Sequence, residues 1–201
     1  KHKSEVNLTP LEDTLEALDE QVKAGKIRHI GLSNETPWGT LRHLNAHEAR
    51  PGSPRAASVQ NPYNLLNRSY EVGMAEISLR ENVSLLAYSP LAFGVLSGKY
   101  RHGQKPEGAR LTLFERFQRY SKPKAAEAVE RYAAIAQAAG LSLATLSLAF
   151  VNQRAFVAAN IIGATTMAQL RENIASADVV LGQDILAAID AVHAEISNPC
   201  P

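Results

Sequence analysis

The chain has 201 residues, 45% of them hydrophobic and 20% charged, and a net charge of +1. That is enough apolar chain for one sizeable core, and too little net charge to argue for nucleic acid or an acidic membrane surface as a partner. No apolar run approaches the roughly 20 residues of a spanning helix, Lys1-His2-Lys3-Ser4-Glu5 is not a signal peptide, and the single Cys200 can form no internal disulfide. A reducing cytoplasm is the expected setting.

Thr9-Pro10-Leu11-Glu12 reads as a capping box with Pro at the first helical position. Leu11, Leu15, Leu18 and Val22 continue it as a helical apolar stripe, which Gly25 ends. Ile27 to Leu32 follows as a short strand. Thr36-Pro37-Trp38 opens a second helix that runs to about Ala49, and Arg50 to Pro54 is a Pro/Gly loop. Ala57 to Gln60 is the next strand, with turn chemistry in Asn61-Pro62-Tyr63-Asn64. Tyr70 to Arg80 reads as a helix. Val83 to Tyr88 is a near-continuous apolar run, as in a parallel strand buried on both faces.

Pro90 to Lys122 is a long irregular stretch rich in Gly, Arg and Lys, and a loop of that length in a compact domain is usually functional. Two helices, Ala125 to Ala139 and Leu143 to Asn152, flank Gly140. Val157 to Gly163 is a fourth strand, and helices over Thr166 to Ala175 and Ile185 to Ile196 finish the chain. Strand–helix alternation with short links predicts an α/β fold with a parallel sheet and right-handed crossovers.

Polar clusters end each predicted strand: Ser33-Asn34, Gln60, Tyr88-Ser89-Pro90-Leu91 and Gly163-Ala164-Thr165-Thr166. Barrels and open doubly wound sheets both place ligand sites at the carboxyl ends of their strands. No G-x-G-x-x-G follows a strand and there is no Walker A loop, which disfavours a Rossmann dinucleotide site and a P-loop. His43 and His47 share a predicted helix face at i, i+4, but no third ligand accompanies them, so no metal is assigned. His29 is expected to pack or hydrogen-bond within the sheet, and His193 to pack beside Val192 on the last helix.

Five segments, in order, resemble the aldo-keto reductases over almost the whole chain, most closely their Tas-type branch, with likeness also to the potassium-channel β-subunit. They are Gly25-Lys26-Ile27-Arg28-His29-Ile30-Gly31-Leu32-Ser33-Asn34, Val59-Gln60-Asn61-Pro62-Tyr63-Asn64-Leu65-Leu66-Asn67-Arg68, Leu86-Ala87-Tyr88-Ser89-Pro90-Leu91, Gly98-Lys99-Tyr100, and Ile162-Gly163-Ala164-Thr165-Thr166 with Gln169-Leu170 and Glu172-Asn173. The resemblance implies a (β/α)8 TIM barrel that binds an extended NADP(H) across its mouth without a Rossmann domain. It implies Ser33, Asn34 and Gln60 at the nicotinamide carboxamide, where their donors and acceptors complement an amide. Tyr88 would stack on the nicotinamide ring, a contact that contributes about 0.5–1.5 kcal/mol beyond its area.

Ser89, Pro90, Leu91, Ala92, Phe93 and Gly94 would line the pyrophosphate. Lys99 and Arg110 would face phosphate, at least one of them at the ribose 2′-phosphate. Gly163, Ala164 and Thr165 would present N–H groups to an anion, and Gln169, Glu172 and Asn173 would surround the adenosine. Each residue also has a local alternative: Ser33-Asn34 as a helix-entry turn, Tyr88 as core, Lys99 and Arg110 as solvated charges, and Gln169 as the far end of a Thr166 capping box. Trp38 could be a substrate-pocket wall or a structural residue.

The family's catalytic set is Asp, Tyr, Lys and His on the first four strands, and none of the four can be matched here. The resemblance therefore implies that residues 1–201 are the C-terminal part of one barrel domain, carrying about strands five to eight, with the catalytic half absent. The missing initiator Met agrees with a cut start. The expected whole is an oxidoreductase reducing small aldehydes or ketones with NADPH, and this chain alone is expected to be inactive and to have two exposed sheet edges. The alternatives are a non-catalytic NADP(H)-sensing regulatory subunit and an inactive truncated fragment. Substrate identity and oligomeric state are not legible.

Overall fold

A computed structural model of the chain describes residues 9–114 and 116–201, in which strands and helices alternate. The opening Lys1-His2-Lys3-Ser4-Glu5 lies outside them. Helix α1 (Leu11–Lys23) buries Leu15 and Asp19. Its N-cap is Pro10, with no side-chain cap, so the expected Thr9–Glu12 box does not form. The helix starts one residue later than the box requires, and Glu12 falls at the second helical position instead of the third. Gly25 ends α1 at φ +70°, the left-handed conformation that lacks a Cβ penalty only in glycine.

The N–H groups of Lys26 and Ile27 turn back to the Gln21 carbonyl, at 3.0 and 3.4 Å. They close the helix, and β1 (Ile30–Ser33) begins three residues later than the apolar run from Ile27 suggests. His29, expected inside, is exposed just before it.

Helix α2 (Pro37–Glu48) opens as expected, with Pro37 in its first turn and the Thr36 hydroxyl accepting from the Gly39 N–H at 3.1 Å. Strand β2 (Ala56–Pro62) is longer than expected and absorbs Asn61 and Pro62. The turn falls instead at Asn64–Asn67, whose backbones exchange hydrogen bonds of 3.1 and 3.0 Å. The single helix expected over Tyr70 to Arg80 is a 3-10 turn, Ser69–Val72, followed by α3 (Met74–Arg80). They part at Gly73, where a Cβ would come within 3.3 Å of the Pro37 ring.

Strand β3 (Ser84–Tyr88) leads into the segment read as irregular. That segment contains 3-10 turns at Ala92–Ser97 and Arg101–Gly103 and the one-turn helix α4 (Arg110–Leu113). Helices α5 (Pro123–Ala138) and α6 (Leu143–Asn152) precede β4 (Val157–Ile161), which stops two residues short of Gly163. Helices α7 (Met167–Ala175) and α8 (Gln183–Glu195) follow.

The four strands are parallel, in the order β1-β2-β3-β4, so their carboxyl ends at Ser33, Pro62, Tyr88 and Ile161 share one rim. This is the expected α/β class. Val59, Leu85 and Ala87 turn to a buried face covered by helices. There Tyr63 packs against Phe150 and Phe156, and Tyr70 against Phe156, at ring-centroid distances of 5.3–6.0 Å. Helix α6 lies within this core and buries all but two of its ten residues.

The other face is uncovered. Ser58 pairs with Ser84, Gln60 with Leu86, and Tyr88 with Ile161, and all of these are exposed or half-buried. Parallel sheets are ordinarily covered on both faces, so the burial expected for β3 on two sides holds on one. Among the described residues no single helix is long and apolar enough to cross a membrane.

Candidate functional site

The predicted polar residues of β1, β2 and β3 come together at the rim. Ser33 and Gln60 are ladder partners, and the Asn34 N–H donates to the Gln60 carbonyl at 3.0 Å. Asn34 has φ +55°, a left-handed conformation that Asn tolerates better than most residues. That bend places its amide between neighbours: Nδ2 donates to Ser33 Oγ at 3.1 Å, and Oδ1 accepts from the Tyr88 hydroxyl at 2.7 Å. Ser33, Asn34 and Gln60 remain exposed and Tyr88 is half-buried, so the cluster faces a ligand-accessible rim.

A second group follows β3. Ser89, Ala92, Phe93 and Gly94 have φ of +54°, +49°, +58° and +91°. Three of these are non-glycine residues in a sparsely populated region, an arrangement that persists only where surrounding contacts enforce it. The Ala92 N–H donates to the Ser89 carbonyl at 2.9 Å and the Gly94 N–H to the Leu91 carbonyl at 2.8 Å, which coils the loop around Pro90 and Leu91. A Cβ on Gly94 would meet Lys99 Cε at 2.8 Å and Nζ at 3.1 Å, so the Lys99 ammonium lies directly on this backbone. Arg110 stands beside it, its guanidinium 5.5 Å from the Phe93 ring and 5.3 Å from that of Phe117. A coiled loop carrying two cations fits phosphate chemistry.

The third group lies beyond β4, next to β3 in the sheet. Thr166 caps α7 by accepting from the Gln169 N–H at 3.2 Å. The Gln169 side-chain oxygen accepts from the N–H and hydroxyl of Thr165, at 2.9 and 3.0 Å, rather than from Thr166 as a capping box would have it. The Thr165 N–H expected to face an anion is therefore engaged within the cap; Gly163 and Ala164 stand exposed beside it. Asn173 is buried and donates to the Gly163 carbonyl at 3.2 Å, fixing the loop, while Glu172 accepts from the Ser142 hydroxyl at 2.5 Å.

Trp38 stands apart. It is 73% exposed on α2, with the Arg42 guanidinium over its ring. His43 and His47 each direct Nδ1 to a backbone carbonyl, of Gly39 at 2.8 Å and of Ser53 at 2.9 Å.

Three residues outside the expected ligand set hold the rim together. Asn61 accepts from the Glu35 N–H at 3.0 Å and donates to the Glu35 carbonyl at 2.8 Å, tying the turn after β1 to β2. Asn64 is fully buried; its Nδ2 reaches the Ser89 carbonyl at 3.0 Å and the Tyr120 hydroxyl at 3.2 Å, and its Oδ1 accepts from the Leu66 N–H at 2.9 Å. Arg119, from the far end of the long segment, lines a 320 Å³ cavity with Asn34, Glu35 and Tyr88. Contact with the Tyr88 hydroxyl holds its guanidinium above the ordinary arginine range, against the opposing effect of burial.

A buried charged group ties the turn after β2 to α8. Arg68 is 7% exposed and bonds Glu71 through Nε and Nη2, at 2.9 and 2.8 Å, and Asp190 through Nη1 at 2.7 Å. Burial works against its charge, but the two carboxylates hold the guanidinium above its usual range. The Tyr63 hydroxyl donates to Glu71, and burial, with Glu71 beside it, pushes the phenol well above its ordinary value. Asn61, Asn64 and Asn67 recur every third residue, which was a visible signal; nothing local to Arg119 marks it.

The sequence matches the Aldo/keto reductase family over residues 2–194. It is 53% identical over 189 residues to Protein tas of Escherichia coli (strain K12), covering 94% of this chain and 54% of that protein. It is 46% identical over 175 residues to an aldo-keto reductase of Babesia bovis, covering 84% of this chain and 61% of that protein. It is 32% identical over 194 residues to aldo-keto reductase yakc [NADP(+)] of Schizosaccharomyces pombe, covering 96% and 54%. The chain thus spans about half the length of the curated relatives it matches.

Proposed function

The chain belongs to the aldo/keto reductase family, and we propose that it supplies the NADP(H)-holding part of an oxidoreductase that reduces aldehydes or ketones. The observation that carries this reading is the single rim on which a carboxamide-binding cluster (Ser33, Asn34, Gln60, Tyr88) adjoins a coiled loop covered by Lys99 and Arg110. When bound, NADPH supplies the hydride to the carbonyl carbon. Asn34 uses one N–H on Ser33 and one oxygen lone pair on Tyr88, which leaves a second donor and a second acceptor position for an incoming amide while both bonds stay in place. The Tyr88 ring, held by its hydroxyl, offers a face for stacking. Lys99 and Arg110 neutralise phosphate, and the NADP(+) in the name of the fission-yeast relative supports a 2′-phosphate among their targets.

Within this reading residues 1–201 are the C-terminal part of one (β/α)8 domain, about strands five to eight. The uncovered sheet face supports it: Gln60, Leu86 and Tyr88 line a surface that four further strands would enclose. We assign no catalytic residue to this chain; the proton donor and the acid–base partners lie elsewhere in the working protein. The buried, unpaired Cys200 suits the cytoplasm, where we place it.

The test is cofactor binding by the intact protein, measured by calorimetry with NADPH and NADH. Replacing Lys99 or Arg110 with Ala is expected to weaken NADPH on the order of tenfold or more, and in at least one of the two variants to change NADH little, since one charge-assisted phosphate contact contributes about 1.5–3 kcal/mol. Equal loss for both nucleotides in both variants refutes the 2′-phosphate assignment, and absence of binding by either nucleotide refutes the function.

A further inference from the structure

A larger cavity, of about 620 Å³, lies between residues 95–114 and 117–122 on one side and α5 on the other. No strand end contributes to it, and none of the residues assigned above to the nucleotide lines it. Its wall is aromatic, formed by Tyr100, Phe114, Phe117 and Tyr120. Both tyrosine hydroxyls are engaged, accepting from the Leu111 N–H and from Asn64 Nδ2, each at 3.2 Å. Tyr100, Phe114 and Phe117 are accessible and present ring surface to the cavity, while Tyr120 is buried and closes it from behind.

Among the described residues the charge around that wall is unbalanced. Arg101 and Glu130 cancel each other through a 2.6 Å ion pair. Lys105 and Lys122 also line the cavity, and neither has a carboxylate partner among the described residues. The volume falls in the range of about 300–1,000 Å³ that small-molecule sites occupy. A hydrated inorganic ion would leave the aromatic wall wet, and a neutral apolar molecule would gain nothing from the two exposed lysines. An organic anion satisfies both.

We infer that this cavity is a second ligand site, separate from the nucleotide rim, for a small organic acid. Its aromatic or aliphatic body lies against Phe114 and Phe117, and its carboxylate, sulfonate or phosphate turns to Lys105 and Lys122. The inference does not depend on which nucleotide the rim takes.

The probe is 8-anilinonaphthalene-1-sulfonate, an aromatic sulfonate whose fluorescence rises in apolar surroundings, titrated into the full chain. Saturable binding is expected. Exchanging both lysines for Glu should weaken it on the order of tenfold, because two attractions become two repulsions. Ala126→Trp keeps the charge and fills the cavity from α5, and should abolish the signal. Saturating NADP+ should leave the probe bound. Failure to saturate, retention of full binding in Ala126→Trp, or displacement by NADP+ would each overturn the inference, the last two by placing the probe on the open sheet face or at the rim.

Discussion

Replacing Asn64 with Ala probes whether the loops at the strand ends are held as one unit. Asn64 is the shared partner of three segments: its own turn through Leu66, the loop after β3 through Ser89, and the end of the long segment through Tyr120. Each such bond contributes about 0.5–1.5 kcal/mol net, and truncation leaves the buried Leu66 N–H without its acceptor, so a loss of about 3 kcal/mol is expected. In urea, with a slope of about 2–3 kcal/mol/M, that moves the midpoint down by about 1–1.5 M. The second readout is the cofactor. Ser89 has φ +54°, which costs a non-glycine residue about 1–2 kcal/mol and is enforced in part by Asn64. Release of that loop should weaken NADP(H) binding by about tenfold, one factor of ten being about 1.4 kcal/mol. Adding Ser89→Gly should then recover about 1 kcal/mol of stability, because glycine adopts the left-handed conformation freely. A midpoint shift below 0.3 M (under about 1 kcal/mol) with unchanged cofactor affinity would refute the reasoning, and so would a Ser89→Gly change that stabilises nothing.

Two further predictions concern the buried charges around Arg68. Arg68→Ala removes three hydrogen bonds to carboxylates and strands Glu71 beside the Tyr63 hydroxyl, so a loss of about 3–5 kcal/mol is expected; thermal melts showing less than about 1 kcal/mol would mean that solvent screens the group. His193 is half-buried with Nδ1 unpartnered, and burial, with Arg68 nearby, holds its imidazole below the ordinary value, although Glu71 and Asp190 act the other way. The unfolded chain therefore takes the proton first. This part of the stability is complete above the unfolded pKa of about 6.5 and is lost as pH falls through the depressed folded value. Urea midpoints should drop between about pH 7.5 and 5.5, and the drop should shrink in His193→Gln; identical pH profiles would remove His193 from the account.

The order of the elements and the shared rim were legible because they rest on local signals. Gly25 and Thr36-Pro37 mark helix ends through backbone conformation and capping, and the structure keeps both. Boundaries failed where a distant contact decided. Ile27 is apolar enough for a strand, yet its N–H closes α1 onto Gln21. Tyr70 to Arg80 reads as one helix, yet Gly73 packs against Pro37 from α2 and the helix breaks there. The residues that hold the rim were hidden for the same reason. Asn64 looks like ordinary turn chemistry; its acceptors lie 25 and 56 residues away, and only the fold supplies them.

Strand β3 shows how composition and burial can part without contradiction. Its apolar run predicts burial on two faces, but helices cover only Leu85 and Ala87. Leu86 and Tyr88 stay half-buried on the open face, beside Gln60, Pro62 and Ile161 in register. A solvent-facing strand surface would alternate to polar residues, as the open faces of antiparallel sheets do. Here the open face keeps Leu and Tyr next to Ser and Gln, a mixture suited to a surface that is enclosed but must still meet a polar ligand. That is the composition expected of a barrel lining near its mouth, where Leu86 packs against further strands and Tyr88 against a cofactor ring. The apolar pattern of β3 therefore encodes two kinds of burial, one that the helices of this chain provide and one that the proposed barrel and its cofactor provide.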